Sequence, residues 1–185
     1  TGNKIYFDKS LADEIIISFL GTGNELRIGK NVIVSRLVIL FGCNGYCSIG
    51  DNTEIISAEM RISEGKIIIG QDCLFSIEVC IRNHDSHHIF DASTHKRVNY
   101  SKDVIIGNQV WLGQRVTLLG GAELGNGSVV GANTVTSSKF GGHQIIAGVP
   151  GRVIRENICW SKDNTDYFNR TCLEECISKE ALKYL

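Results

Sequence analysis

The sequence has a single proline, no long hydrophobic stretch and almost no net charge. Its 19 Lys and Arg residues against 20 Asp and Glu give a formal charge of −1, so no overall positive field favours nucleic acid or an anionic membrane. The longest apolar run, residues 37–41, is far shorter than the roughly 18 residues of a membrane-spanning helix. We therefore expect neither a nucleic-acid partner nor a membrane span. Because the chain opens on Thr1 rather than Met, we also expect either a trimmed start or a removed signal.

The cysteine pattern does not favour a disulfide framework or a metal site. Seven cysteines is an odd number, and a chain of 185 residues with 43% hydrophobic residues can form a core without disulfides. Cys159, Cys172 and Cys176 lack the paired two-residue spacings that are typical of zinc sites. We expect reduced thiols and no metal.

A repeat of six residues governs the second half of the chain. Large aliphatic residues recur at this spacing, at Ile106, Leu112, Leu118, Leu124 and Val130. Small or β-branched residues follow each of them by four positions, at Val110, Val116, Ala122, Ser128 and Thr134. This period fits neither an amphipathic helix nor a half-exposed hairpin. It predicts an all-β solenoid in which three short strands form each coil of roughly 18 residues, with Gly and Asn at the corners.

Looser copies of the repeat begin at Ile28, Ile49 and Ile69, so we expect the solenoid to start near Leu26 or before it. The pattern stops between Asn83 and Asp103, where a polar, histidine-rich stretch predicts a long protruding loop. A second, shorter excursion is predicted over 136–144.

The apolar spacing changes after the last coil, and charges become frequent. There the sequence predicts one or two amphipathic helices that cover an open end of the solenoid or meet a neighbouring subunit. We divide the chain into a solenoid domain, 1–155, and a C-terminal helical extension, 156–185.

The segments IIGNQVWLGQRVTLLGGAELGNGSVVGANTV and IIAGVPGRVIRE resemble the hexapeptide-repeat acyltransferases, which include galactoside, maltose, capsule and polysialic acid O-acetyltransferases. The segment Asp85-Ser-His87-His-Ile resembles the Asp-x-His-x-Ile pattern of the capsule and sialic acid enzymes. The resemblance implies a left-handed parallel β-helix that assembles as a homotrimer, with active sites between neighbouring columns. It further implies a cytoplasmic acetyltransferase that uses acetyl-CoA to O-acetylate a sugar or polysaccharide acceptor.

Acetyl transfer to a hydroxyl needs a base, and a neutral imidazole suits that task. By resemblance the base is His87, with His84 as the alternative. Asp85, or a backbone carbonyl, is expected to fix the tautomer of the imidazole ring. Trp111 follows an inward Val110 and should point outward, where the family places it beside the acyl chain, the pantetheine or the acceptor.

The resemblance also implies a set of cofactor contacts. Besides Trp111 these are the backbone near Gly113 and Ala132, the path lined by Thr136 and Ser137, and the phosphate-binding Arg152 and Arg155. Many family members have Lys at the position of Ser137. Three cations of the loop, Lys96, Arg97 and Lys102, are candidates for holding an acidic sugar.

Three other functions compete with sugar O-acetylation. The first is N-acetylation of an amino sugar or of a nucleotide-linked amino sugar, which would use the same histidine and cofactor. The second is a metal hydratase of the carbonic anhydrase type, disfavoured because no histidine lies between His95 and His143 to supply ligands from separate coils. The third is a non-catalytic scaffold, favoured only if acetyl-CoA does not bind.

Overall fold

The computed structural model describes residues 2–162 and 181–184, and this part of the chain winds into a left-handed parallel β-helix of triangular section. We name its sides face 1, face 2 and face 3, in the order in which the chain meets them. Face 1 is a parallel sheet whose seven strands come from successive coils. They are β1 (Lys4–Phe7), β3 (Glu25–Ile28), β5 (Gly45–Ile49), β7 (Gly65–Ile69), β10 (Val104–Ile106), β13 (Glu123–Leu124) and β16 (Lys139–Phe140).

Faces 2 and 3 belong to one continuous sheet of eleven strands. In the first coils single long strands cross both faces: β2 (Leu11–Phe19), β4 (Ile33–Phe41) and β6 (Glu54–Ile62). Later coils use two short strands instead. Face 2 then holds β8 (Leu74–Phe75), β11 (Trp111–Leu112), β14 (Val129–Val130) and β17 (Ile145–Ala147). Face 3 holds β9 (Val79–Arg82), β12 (Thr117–Leu118) and β15 (Val135–Thr136).

The interior is built from the residues that the repeat identifies. All five large aliphatic positions between Ile106 and Val130 are at most 3% exposed, and the small positions that follow them are also buried. Each fully buried aliphatic side chain contributes about 1.5–3 kcal/mol relative to an exposed one. Two hydroxyls in this interior bond to backbone carbonyls, Ser128 to Gly141 and Thr134 to Gly131, so their burial leaves no unpaired group.

Asparagines occupy several corners, as predicted, because they tolerate positive φ. Asn31 and Asn52 have φ values of 55° and 57° at the corner between faces 1 and 2, and Asn133 has 59° at the corner between faces 2 and 3. Larger side chains adopt the same conformation in the equivalent positions of other coils, including Gln109 and Arg115. Their amides are bonded to the coil below, which holds the turn in place.

The predicted long loop leaves the column at the corner between face 3 and face 1, after β9 and before β10. We call residues 83–103 the histidine loop. The shorter excursion predicted over 136–144 is wrong. Lys139 and Phe140 pair in parallel with Glu123 and Leu124, so this stretch continues the coil despite its irregular spacing.

Strand β18 (Arg152–Arg155) turns back antiparallel to β17 and covers the edge of the last coil on face 2. After β18 the described residues, up to 162, follow the corner between faces 1 and 2. There the Lys162 ammonium donates to the Asn52 carbonyl at 2.7 Å, and the Tyr184 hydroxyl bonds to the Asp72 carboxylate. Residues 181–184 form a 3₁₀ turn, whereas 163–180, where most of the predicted helical extension falls, lie outside the described residues.

The cysteines among the described residues are free thiols. Burial raises the pKa of Cys47 to about 12 and that of Cys73 to about 11, since the interior disfavours a thiolate. These two side chains therefore act as small apolar groups of the core. Cys43 is exposed, and Cys172 and Cys176 lie outside the described residues.

Candidate active site

The histidine loop folds into a short hairpin that stands on the column. Phe90 and Arg97 form an antiparallel bridge, and Asp91 begins the turn at the tip. The Asp91 carboxylate accepts hydrogen bonds from the hydroxyls and backbone amides of Ser93 and Thr94. With the Ser93 hydroxyl as the largest cause, these bonds lower the pKa of Asp91 to about 2. The tip is thus an ordered turn although it is exposed.

Asn99, on the returning arm of the hairpin, holds the segment that carries His87. Its side-chain Nδ2 donates to Oδ2 of Asp85 at 3.0 Å and to the carbonyl of His87 at 2.8 Å. Its Oδ1 accepts the backbone N–H of Ile89 at 2.7 Å. The expected contact between Asp85 and the imidazole of His87 is not present among the described residues, because the Asp85 carboxylate is bonded to Asn99 instead.

The histidines of the loop differ in their surroundings. Nδ1 of His84 lies 3.1 Å from the carbonyl of Asp85, which is the kind of backbone contact expected to fix a tautomer. His88 packs edge-on against Phe90, with ring centroids 6.1 Å apart. His87 is exposed, and its ring makes no hydrogen bond to a described residue. One histidine is therefore held by the loop backbone, one packs within the loop, and one is presented outward.

A cavity of about 220 Å³ lies where the loop joins the column. Its lining includes His84 and Asp85, but not His87. Lys102 and Arg82 add positive charge. The Arg82 side chain donates to the Ser86 hydroxyl at 3.2 Å, while its buried Nε has no hydrogen-bond partner among the described residues. The cavity therefore combines a candidate base with groups that attract an anion.

Trp111 points outward from face 2, as predicted, and is 40% exposed. Its ring packs against the buried Trp160, with centroids 5.8 Å apart and planes tilted by 41°. Nε1 of Trp160 donates to the Gln109 carbonyl at 2.8 Å, which fixes the second indole on the column. Trp160 was not predicted from the sequence. The available signal was the outward Trp111 itself, because a large apolar ring on the surface usually packs against another apolar side chain.

Two expected cofactor positions stack at the corner between faces 2 and 3. A Cβ on Gly113 would lie 2.8 Å from the Ala132 nitrogen, so consecutive coils touch at this point. Ser137 is exposed at the next corner, beside Gly121, on the side from which the histidine loop emerges. The Thr136 side chain, by contrast, is buried, and its hydroxyl accepts the Ser138 N–H at 3.1 Å, so only its backbone is available to line a path.

The two expected phosphate-binding arginines are exposed, at opposite ends of β18. Arg152 pairs with Ala147 and directly follows Gly151, whose amide donates to the Val135 carbonyl at 2.9 Å. This position is close to the corner that holds Ala132. Arg155 pairs with Ile145, at the end of the ladder that includes Trp111. The structure therefore brings only Arg152 near the expected pantetheine corner.

Comparison with known proteins decides the family. The bacterial transferase hexapeptide (six repeats) family matches residues 103–138. A polysialic acid O-acetyltransferase of Neisseria meningitidis is 36% identical, over 83% of this chain and 82% of the relative. The chain belongs to the hexapeptide-repeat acetyltransferases.

Solved structures of family members have the same architecture. The polysialic-acid-specific acetyltransferase NeuO is 27% identical, with a TM-score of 0.77 over 99% of this chain and 93% of NeuO. The polysialic acid O-acetyltransferase OatWY is 31% identical, with a TM-score of 0.67 over 91% and 92% of the two chains. The hexapeptide-repeat fold and the acetyltransferase class predicted from the sequence are thus confirmed.

The described part of this acetyltransferase contains no helix with the length and apolarity to cross a bilayer. It also contains no group of three or more His, Cys, Asp or Glu side chains arranged to hold a metal ion.

Proposed function

We propose that this acetyltransferase moves the acetyl group of acetyl-CoA onto a hydroxyl of a bacterial surface glycan, with His87 as general base. The observation that carries the proposal is the histidine loop on a β-helix that matches polysialic acid O-acetyltransferases. These relatives are matched over most of their length. In this reaction His87 takes the proton of the acceptor hydroxyl as oxygen attacks the thioester carbonyl. The oxyanion then collapses with cleavage of the C–S bond, and the protonated His87 gives its proton to the sulfur, so that the coenzyme leaves as a thiol and the base is regenerated.

A homotrimer fits the distribution of the candidate residues. The histidine loop emerges at the corner between faces 3 and 1, whereas Trp111 lies on face 2 and Arg152 near the corner between faces 2 and 3. One column therefore presents these groups on different sides. The cavity at the loop, about 220 Å³, is also smaller than the roughly 300–1,000 Å³ of most ligand sites. Both observations support a site that is completed by a neighbouring column.

Within this site we assign acetyl-CoA to the corner of Gly113 and Ala132, with Ser137 and the backbone of Thr136 along its path and Arg152 toward the phosphates. Close stacking at Gly113 keeps side chains away from the corner, which leaves backbone groups free to meet a pantetheine amide. An N–H from this region is our candidate oxyanion donor. Asp85 acts on the His87 segment through Asn99, and His84 remains the alternative base.

We place the reaction in the cytoplasm, where acetyl-CoA is available. We treat 1–155 as the catalytic domain and 156–185 as its C-terminal extension. No metal is assigned a role in the reaction.

The test is acetyl-CoA consumption by the purified chain against a glycan panel containing polysialic acid, lipopolysaccharide O-antigens, neutral glycans and amino sugars. Mass spectrometry of the product, before and after mild alkali, separates an alkali-labile O-acetyl ester from an alkali-stable N-acetyl amide. We expect a labile ester on a glycan, together with a trimer in light scattering. An alkali-stable product would replace the proposal with N-acetylation, and binding of acetyl-CoA without transfer to any acceptor would overturn it.

A further inference from the structure

We infer that Asn99 is a positioning residue for the general base, and that it acts through the hydrogen-bond donors of its side-chain amide. The inference rests on the proposed function, because it takes His87 as the base. Nothing in the sequence pattern points to Asn99, whose partners lie 10 to 14 positions earlier in the chain.

The side-chain amide of Asn99 takes the place of a neighbouring strand. A strand residue in a parallel pair donates to the carbonyl before its partner and accepts the N–H after it. The Asn99 amide does the same around His88, since it donates to the His87 carbonyl and accepts the Ile89 N–H. The loop has no second strand here, so one side chain supplies the pairing that fixes the backbone on both sides of His88.

The remaining bonds make Asn99 a link between the two candidate catalytic residues. Nδ2 donates to Asp85 and to His87 at once. The Arg97 guanidinium donates to the backbone carbonyl of Asn99 at 3.0 Å and also stacks over Tyr100, which holds the returning arm itself. Because the exposed ring of His87 has no hydrogen-bond partner among the described residues, the backbone position set by Asn99 determines where the ring can reach.

Comparing Asn99→Asp with Asn99→Ala distinguishes the effect of the amide's hydrogen-bond donors from the effect of the side-chain volume. The aspartate has the same shape as the asparagine but no hydrogen-bond donor. Its carboxylate would face two acceptors, the Asp85 carboxylate and the His87 backbone carbonyl. Ala removes the bonds without adding this repulsion. If Asn99 only filled space, the isosteric Asn99→Asp would be the milder change; if its donors position the loop, Asn99→Asp is the more severe.

We therefore measure kcat, KM for acetyl-CoA, oligomeric state and thermal midpoint for both variants of the full chain. We expect kcat to fall about 10- to 100-fold in Asn99→Ala, since misplacing a catalytic group by an ångström has effects of that size. A further fall of about fivefold is expected in Asn99→Asp, where acceptors face each other unpaired. KM for acetyl-CoA and the trimer stay unchanged, and hydrogen exchange becomes faster in peptides covering 85–89.

Asn126→Asp is the matched control. The Asn126 side chain is exposed and, among the described residues, serves only as an acceptor, for the Asn108 N–H at 2.8 Å. An aspartate keeps that acceptor, so kcat should not change.

The outcomes separate the inference from the proposed function. If His87→Ala keeps full turnover, the proposed base is wrong whatever the Asn99 variants do. If His87→Ala is inactive but Asn99→Asp is as active as Asn99→Ala or more so, the positioning role of the donors is overturned while the function stands. Loss of the trimer or of acetyl-CoA binding in both Asn99 variants would also overturn it, in favour of a role in the fold.

Discussion

The indole of Trp160 packs against Trp111 with ring centroids 5.8 Å apart, and Trp111 remains 40% exposed. These are the only two tryptophans in the sequence, and each can be studied alone. We predict that Trp111, left as the sole tryptophan in Trp160→Phe, changes its fluorescence when acetyl-CoA or the acceptor is added. Trp160, alone in Trp111→Phe, should not respond, because it is only 9% exposed.

Truncation of Trp111 distinguishes binding from packing. We expect Trp111→Ala to weaken acceptor binding, seen as a higher KM for the acceptor, while light scattering still reports a trimer. Dissociation into monomers would instead assign Trp111 to the interface between subunits.

The histidines of the loop should separate by function. We predict that His87→Ala lowers kcat by about 10²- to 10⁴-fold, the usual contribution of a general base, while the trimer and acetyl-CoA binding persist. His95→Ala, at the exposed tip, is the control and should keep full activity. If instead His84→Ala lowers kcat by about 10²- to 10⁴-fold and His87→Ala stays active, the general base is His84, whose Nδ1 already contacts a backbone carbonyl.

The column could be predicted from the sequence because a six-residue period brings every repeat to the same depth. Leu112, Leu118 and Leu124 are all at most 3% exposed for this reason. The first coils gave a weaker signal, since strands such as β4 cross two faces without a glycine at the corner. The predicted excursion over 136–144 was wrong because the loss of regular spacing did not mean that the coil stopped. Lys139 and Phe140 pair with the previous coil although their spacing is irregular.

The site was less predictable than the column. The break in the repeat identified the loop, and family resemblance assigned roles to His87 and Trp111. The bonds of Asn99, however, depend on the path of a backbone that follows no period. The same holds for Trp160, which reaches Gln109 from 51 positions away. Contacts of this kind are set by the tertiary arrangement and leave no local pattern.

Close stacking of the coils predicts a large cost for a side chain at Gly70. A Cβ there would lie 2.5 Å from the Gly107 carbonyl oxygen, and backbone of the next coil has little room to move. We expect Gly70→Ala to lower the free energy of unfolding by about 1–3 kcal/mol, as overpacking typically does. Urea denaturation measures the change. In Gly141→Ala, where the nearest atom is 3.5 Å away, a comparable loss would contradict this explanation.

The turn at the tip of the histidine loop should depend on pH through Asp91. Its pKa of about 2 lies below the roughly 3.9 of an unfolded aspartate, so its ionised form stabilises the turn. This stabilisation is present above about pH 4 and is lost as the pH falls toward 2. Nuclear magnetic resonance should show the Ser93 and Thr94 amides losing protection in that window. In Asp91→Asn the protection should not vary there, and loss of protection above pH 5 in the native chain would refute the assignment.

The separation of Arg152 from Arg155 predicts unequal effects on the cofactor. Arg152 lies near the corner of Ala132, whereas Arg155 lies at the other end of the strand and pairs with Ile145 at the end of the Trp111 ladder. If the pantetheine follows that corner, Arg152→Glu should raise KM for acetyl-CoA about tenfold, the effect of losing a charge-assisted phosphate contact. Arg155→Glu should raise this KM less. If the 3′-phosphate is the partner of Arg152, then with a coenzyme that lacks this phosphate the difference in KM between Arg152→Glu and the native chain should be smaller. Equal effects of the two reversals would mean that general surface charge, rather than a contact at Arg152, attracts the coenzyme.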